Sequence, residues 1–195
     1  MDKKTEILNA AVECFVAYGY EKTSMSDIGK RVGLNKASLY YHYKDKRDLF
    51  AAMVRSQRLI HRTRRNSALS AASPGKDRII AFILSEIDFI EAIAVNFLKA
   101  PSAGSGMEDD AMPVYDEIIA EDIGIIESLL NETGKLPGET DAKAFAGILL
   151  KTARALLLVD CPLDGPVSER ASGYERVRND IRLVIPFMLK GAGIL

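Results

Sequence analysis

The chain has 195 residues, a formal net charge of −1, 48% hydrophobic residues and 27% charged residues. That mixture excludes an intrinsically disordered chain and supports one or two compact units with a sizeable core. No apolar run reaches the ~18 residues of a membrane span, and the charged N-terminus does not read as a signal peptide, so a cytoplasmic location is expected.

Charge is divided along the chain. Residues 1–65 hold 14 Lys and Arg against 7 Asp and Glu, a net of +7, and residues 66–195 hold 12 against 20, a net of −8. A basic N-terminal unit on an acidic body is the pattern of a modular DNA binder. Arg55, Arg58, Arg62, Arg64 and Arg65 supply much of the excess, and these five are expected on a solvated helix face.

The first predicted helix runs from Lys3 to about Gly19, with Ile7, Ala11 and Phe15 recurring every fourth residue and Cys14 in its apolar run. Tyr20–Thr23 is a connector. A second short helix starts at Ser24, where Asp27 three residues on completes a capping-box pattern, and carries Met25, Ile28 and Val32 on one face. Thr23 and Ser24 lie at its N-terminus, where outward N–H groups favour a phosphate; simple capping explains Ser24 equally well. Gly33 stops this helix and Asn35 caps a third, from Lys36 to about Tyr43. Leu39 is that helix's inward anchor, with Tyr43 a second. Its remaining surface is Lys36, Ala37, Ser38, Tyr40, Tyr41 and His42. Small residues allow close approach to another surface, and the polar ones carry donors for phosphates and base edges, as a recognition helix in a major groove requires.

The run GLNKASLYYHYKDKRDLF resembles the signature of TetR-family transcriptional regulators. Gly33, Leu39, Tyr40, His42, Lys46 and Leu49 match in identity and spacing, while Leu34, Asn35 and Tyr43 replace the usual Val, Ser or Thr, and Phe with similar chemistry. Gly29 stands where the family favours Ala, at a helix-propensity cost of about 1 kcal/mol unless it permits a close helix contact. The resemblance covers roughly residues 3 to 52. It implies an all-α fold: an N-terminal three-helix helix-turn-helix DNA-binding domain and a C-terminal helical ligand-binding and dimerisation domain, about nine helices in all. It also implies that Lys36, Ala37, Ser38 and Tyr40 face base edges or the thymine methyl, and that Ser24, Tyr41, His42 and Lys46 hold the DNA backbone. For Tyr40 and Tyr41, packing on the first helix is the alternative.

A fourth helix starts at Asp45, with Leu49, Phe50 and Met53 inward, and joins the reading head to the body. The Ser/Ala/Gly/Pro-rich stretch Ser67–Lys76 marks the domain boundary, giving a head at 1–50, the remainder of the connecting helix at 51–66 and a body at 67–195.

The body reads as helical throughout. Asp77 to about Ala100 carries Ile79, Ile83, Ile87 and Ile90 at helical spacing and ends at Pro101. Ser102–Ala111 is expected to be a mobile loop. Its Glu108, Asp109 and Asp110 suit a solvated helix start better than a metal site. Pro113 fits the first turn of a helix reaching about Thr133, where Gly134 stops it. Thr140 is expected to cap a helix from Asp141 to about Asp160, with Phe145, Ile148, Leu149, Ala153 and Leu156 on one side. After a loop at Cys161–Pro166, a last helix spans about Ser168 to Lys190 and contains Pro186, expected to kink it. The wide apolar faces of the last two helices make them the candidate homodimer interface, through an intermolecular four-helix bundle.

Neither Cys14 and Cys161 nor the two histidines, His42 and His61, form a metal spacing, and no HExxH or GxSxG pattern occurs. No enzyme, metal or cofactor is therefore expected. The resemblance implies a small-molecule effector in the body, and the candidate lining is Phe82, Glu86, Phe89, Phe97, Met112, Tyr115, Ile119 and Phe145, residues that equally suit ordinary core packing. The function expected is a ligand-responsive DNA-binding regulator, a repressor that releases a palindromic double-stranded operator when the effector binds. A sequence-neutral architectural DNA binder and a helical protein acting through protein contacts are the alternatives.

Overall fold

The computed structural model describes residues 2–97, 107–134, 141–161 and 167–195, with backbone alone at 95–97, 107–112 and 167–168. Among the described residues there are eight α-helices and no strands: α1 (Lys3–Tyr18), α2 (Met25–Arg31), α3 (Lys36–His42), α4 (Lys46–Ala71), α5 (Lys76–Phe97), α6 (Met107–Glu132), α7 (Ala142–Asp160) and α8 (Val167–Gly191). The all-α expectation holds, with eight helices rather than about nine. None of the described helices is long and apolar enough to cross a membrane.

The chain divides into two compact units, Met1–Ile60 with Ala92–Asp116, and His61–Glu91 with Glu117–Leu195. Ser67–Ala71 continues α4 instead of breaking it, because Ala and Leu are good helix formers and only Pro74 and Gly75, at φ 85°, force the turn.

In the first unit each short helix is delimited by local chemistry. The Asp2 carboxylate accepts the Thr5 N–H at 2.8 Å to open α1, and Gly19, at φ 82°, closes it by donating to the Phe15 carbonyl at 2.8 Å. Ser24 and Asp27 form the expected capping box on α2. At its end Gly33 takes φ 65°, and the Leu34 N–H reaches back to the Gly29 carbonyl at 2.9 Å, a Schellman closure. A Cβ on Gly29 would lie 3.1 Å from the Leu34 oxygen and 3.5 Å from Leu39 Cδ2, so the glycine allows the turn and α3 to sit close to α2. The core beneath is Ile7, Ala11, Cys14, Phe15, Ile28, Leu39, Leu49, Phe50 and Met53, all buried. Burial raises the Cys14 thiol pKa, as befits a core residue.

Helices α6 and α7 start differently from expectation. Residues 107–111, expected in a loop, form the first turns of α6, and Pro113 lies inside the helix instead of in its first turn. Residues 108–110 lie in the first turn of that helix. Residues 102–106 lie outside the described residues. Asp141 caps α7, accepting the N–H groups of Lys143 and Ala144 at 2.9 and 3.3 Å; Thr140, the expected cap, lies outside the described residues. The buried face of α7 is Ala146, Leu149, Leu150, Ala153 and Leu157, which leaves Ile148 exposed, contrary to its expected inward position.

Helices α7 and α8 pack together, and Gly173 makes their closest approach possible. A Cβ there would collide with the Asp160 carbonyl and lie 2.8 Å from Cys161 Sγ. Beside it Tyr174 is fully enclosed, and burial pushes its phenol pKa up to about 12. Arg178 ties α8 to α5 through Asp88, at 2.8 Å, and Glu91. Burial works against that guanidinium charge, and hydrogen bonds to the two carboxylates outweigh it, raising the pKa.

Gly173→Ala is expected to destabilise the protein by about 1–3 kcal/mol, since the added methyl meets backbone. Gly124→Ala, on an exposed stretch of α6 with no atom within 4 Å of the new Cβ, should stabilise by roughly 0.5–1 kcal/mol. Urea unfolding midpoints check both; a Gly173→Ala midpoint at or above wild type would contradict the packing described.

Candidate nucleic-acid interface

Helix α3 is short, and a single residue within it, Leu39, is buried, at 1% exposure. Tyr43, at its C-cap, is the second buried anchor, and burial raises its phenol pKa. Asn35 accepts the Ser38 N–H at 2.8 Å and fixes the helix start. With that anchoring the opposite edge is exposed: Lys36, Ala37, Tyr40 and Tyr41 face outward, and Ser38 and His42 are half-buried. Tyr41 is 86% exposed and Tyr40 41%, which removes packing on α1 as the explanation for Tyr41. Lys36 Nζ lies 5.7 Å from the Tyr40 ring centroid, one turn along, and Tyr41 meets His42 edge-on at 5.4 Å. This edge offers an ammonium, two phenols, an imidazole, a hydroxyl and a methyl, without carboxylates.

The residues assigned to the DNA backbone divide. Tyr41 stands clear. The Ser24 hydroxyl donates to Asp27 Oδ2 at 2.5 Å and accepts the Asp27 N–H at 3.2 Å, so its proton is held within the cap. Hydrogen bonds from the Ser24 side chain and backbone lower the Asp27 pKa and keep its carboxylate charged at that helix end. Thr23, placed with Ser24 at the phosphate-favouring start of α2, is 2% exposed and donates its hydroxyl inward to the carbonyls of Gly19, at 2.8 Å, and Cys14, at 3.2 Å.

Lys46 serves the fold before any ligand. Its ammonium donates to the carbonyls of Tyr20, at 2.9 Å, and Thr23, at 3.2 Å, and sits 4.1 Å from the Tyr20 ring centroid. Two of its three protons are therefore engaged by the α1–α2 connector. Lys44, just before α4, is exposed; its backbone N–H donates to Asp48 Oδ2 at 3.0 Å while the Asp48 N–H is accepted by Asp45 at 2.8 Å.

The residues expected to line an effector site fall in both units. Tyr115, half-buried, belongs to the first; Ile119 and Phe145, half-buried, belong to the second; the side chains of Phe97 and Met112 lie outside the described residues. Phe82, Glu86 and Phe89 are brought together in the second unit, where they surround polar residues of α4. Arg65 lies over the Phe82 ring at 5.3 Å, and His61 lies 5.2 Å from the Phe89 ring and 3.9 Å from a Glu86 oxygen.

Arg58 and Arg65, expected on a solvated face, are 6% and 2% exposed. The signal was present in spacing: Arg58, His61 and Arg65 continue at steps of three and four the buried stripe begun by Phe50 and Val54. Among the described residues no group of three His, Cys, Asp or Glu could hold a metal ion.

Residues 7–53 match the model of a family described as bacterial regulatory proteins, tetR family. The negative transcriptional regulator of the biofilm operon icaADBC, IcaR of Staphylococcus epidermidis, is 41% identical over 51 residues, a stretch that is 26% of this chain and 28% of that protein. The transcriptional activator FasR of Mycolicibacterium smegmatis is 32% identical over 92 residues, 46% of this chain and 41% of that one. Over nearly the whole length the fold is that of a transcriptional regulator from Cytophaga hutchinsonii, with a TM-score of 0.76 at 20% identity, covering 98% of this chain and 100% of the other. The matched stretch thus spans under a third of IcaR and under half of FasR.

Lys46→Ala should lower the thermal unfolding midpoint by several degrees, because it leaves two carbonyls and a ring face without their cation. Lys44→Ala should leave the midpoint unchanged. Calorimetry of the two variants separates the roles, and equal midpoints would show that Lys46 does not hold the connector.

Proposed function

We propose that this chain, whose residues 7–53 match the tetR family of bacterial regulatory proteins, is a homodimeric repressor of that family that reads a palindromic operator with two copies of α3 and releases it when a small molecule binds the body. The exposed edge of α3, held outward by Leu39 and Tyr43, carries this reading. One helix of seven residues makes few base contacts, and two heads on half-sites about 34 Å apart gain affinity together. Lys36, Ala37, Ser38 and Tyr40 contact base edges; Tyr41, His42 and the exposed Lys44 contact phosphates. Lys46 adds its remaining proton to the backbone contacts, and Ser24 does so through the helix end it caps. The net +7 of residues 1–65 steers the approach. The protein acts where the DNA is, in the cytoplasm.

The dimer is supported by exposed apolar side chains on the last two helices. Leu158 and Val159 of α7 are each 78% exposed, and Leu183 and Phe187 of α8 are 69% and 81% exposed. Leu183, Val184, Phe187 and Met188 line one apolar depression on α8. The apolar group on α8 marks an association surface, and a second copy of the last two helices completes a four-helix bundle.

Effector binding lowers operator affinity only by its preference for the DNA-incompetent state. The moving part is α4, one continuous helix from Lys46 to Ala71, whose displacement changes the separation of the two heads. Of the candidate lining, Phe82, Phe89, Ile119 and Phe145 belong to the second unit and supply apolar surface for that molecule there, with Glu86 as the charged group.

Phe187→Glu should give a folded single chain in sedimentation and reduce operator affinity by roughly a hundredfold through lost bivalency; a dimer of unchanged affinity would remove α8 from the interface. Lys36→Ala should cost about 1–3 kcal/mol at one operator position and relax base preference there. An unchanged single-base substitution profile would remove Lys36 from base reading.

A further inference from the structure

Arg65 is almost wholly enclosed in the second unit, with 3% of its side chain exposed. Its Nη1 lies 3.6 Å from Glu86 Oε1 on α5 and 3.9 Å from Asp122 Oδ1 on α6, and its Nη2 lies 3.6 Å from Glu121 Oε1. Phe82 covers the guanidinium at 5.3 Å. Glu86 and Asp122 are themselves enclosed, at 4% and 0% side-chain exposure.

These are ion pairs beyond hydrogen-bond length, and Arg65 Nε and Nη1 make no hydrogen bond. A buried ion pair offsets its desolvation only with good geometry and satisfied protons, and the Arg65 guanidinium falls short of that geometry with each of these three carboxylates. Its geometry instead suits a choice. One nitrogen faces two buried carboxylates on different helices, and closing to about 2.9 Å on one lengthens the other.

We infer that Arg65 is a positioning residue which exchanges between Glu86 on α5 and Asp122 on α6, giving the body end of α4 two seats that differ in operator affinity. This rests on the proposed operator-binding function and identifies its two-state element. His61, one turn earlier on α4, places its Nε2 3.9 Å from the same Glu86 oxygen. Glu121, at 40% side-chain exposure, is reached from either seat.

The test is a pair of charge-removing variants, Glu86→Gln and Asp122→Asn, measured for operator affinity per folded dimer over a range of salt. Each commits Arg65 to the remaining carboxylate, so the two should shift affinity in opposite directions, by about tenfold each. The salt slope should stay at its wild-type value because no phosphate contact changes. In an Arg65→Met background the two variants should have equal affinity.

Shifts of the same sign, or opposite shifts that persist without Arg65, would overturn the exchange. Should Asp122→Asn fail to fold, relaxation dispersion at the Arg65 Nε–H of the wild type decides: millisecond exchange supports two seats, and a single unexchanging signal overturns them. Wild type that binds no operator at all would instead overturn the underlying function.

Discussion

The ammonium of Lys46 and the aromatic group beneath it fix the geometry of the reading head. Phe15 of α1, Tyr20 of the connector and Phe50 of α4 meet with ring centroids 4.9 to 5.8 Å apart, and Lys46 closes over Tyr20 while holding two carbonyls of the same connector. Aromatic contacts of this kind contribute about 0.5–1.5 kcal/mol each beyond area burial. Their larger effect is directional. They fix where the connector ends, hence where α2 begins, and α2 carries α3 through Ile28, Gly29 and the Schellman turn. The exposed edge of α3 is the outcome of this chain of constraints, since a seven-residue helix has little stability of its own.

The head was legible in sequence because its boundaries are local. Ser24, Asp27, Gly33 and Asn35 each act on backbone groups within a few residues, and spacing alone reveals them. Lys46 shows what spacing misses. Its position invites a phosphate contact, while its partners, Tyr20 and Thr23, lie more than twenty residues back and become neighbours only through folding.

The body was legible in outline and less so in detail. Apolar spacing located its helices, but helix starts depend on caps and dipoles that compete closely. Asp141 caps α7, and a stretch that resembles a loop became the start of α6. The buried arginines of α4 were the larger omission. Composition suggests a solvated face, whereas Arg58, His61 and Arg65 continue the stripe of Phe50 and Val54 into the interior. A buried stripe that changes from apolar to charged along one helix is costly for stability alone, and it coincides with the helix that links reading head to body.

The central claim is that two copies of the α3 edge read duplex DNA at a fixed separation. Selection of bound fragments from a random DNA pool by the full chain tests it most directly. The expected result is an inverted repeat whose half-site centres lie about one helical turn apart. Enrichment of a single unpaired half-site, or of no sequence, would contradict it.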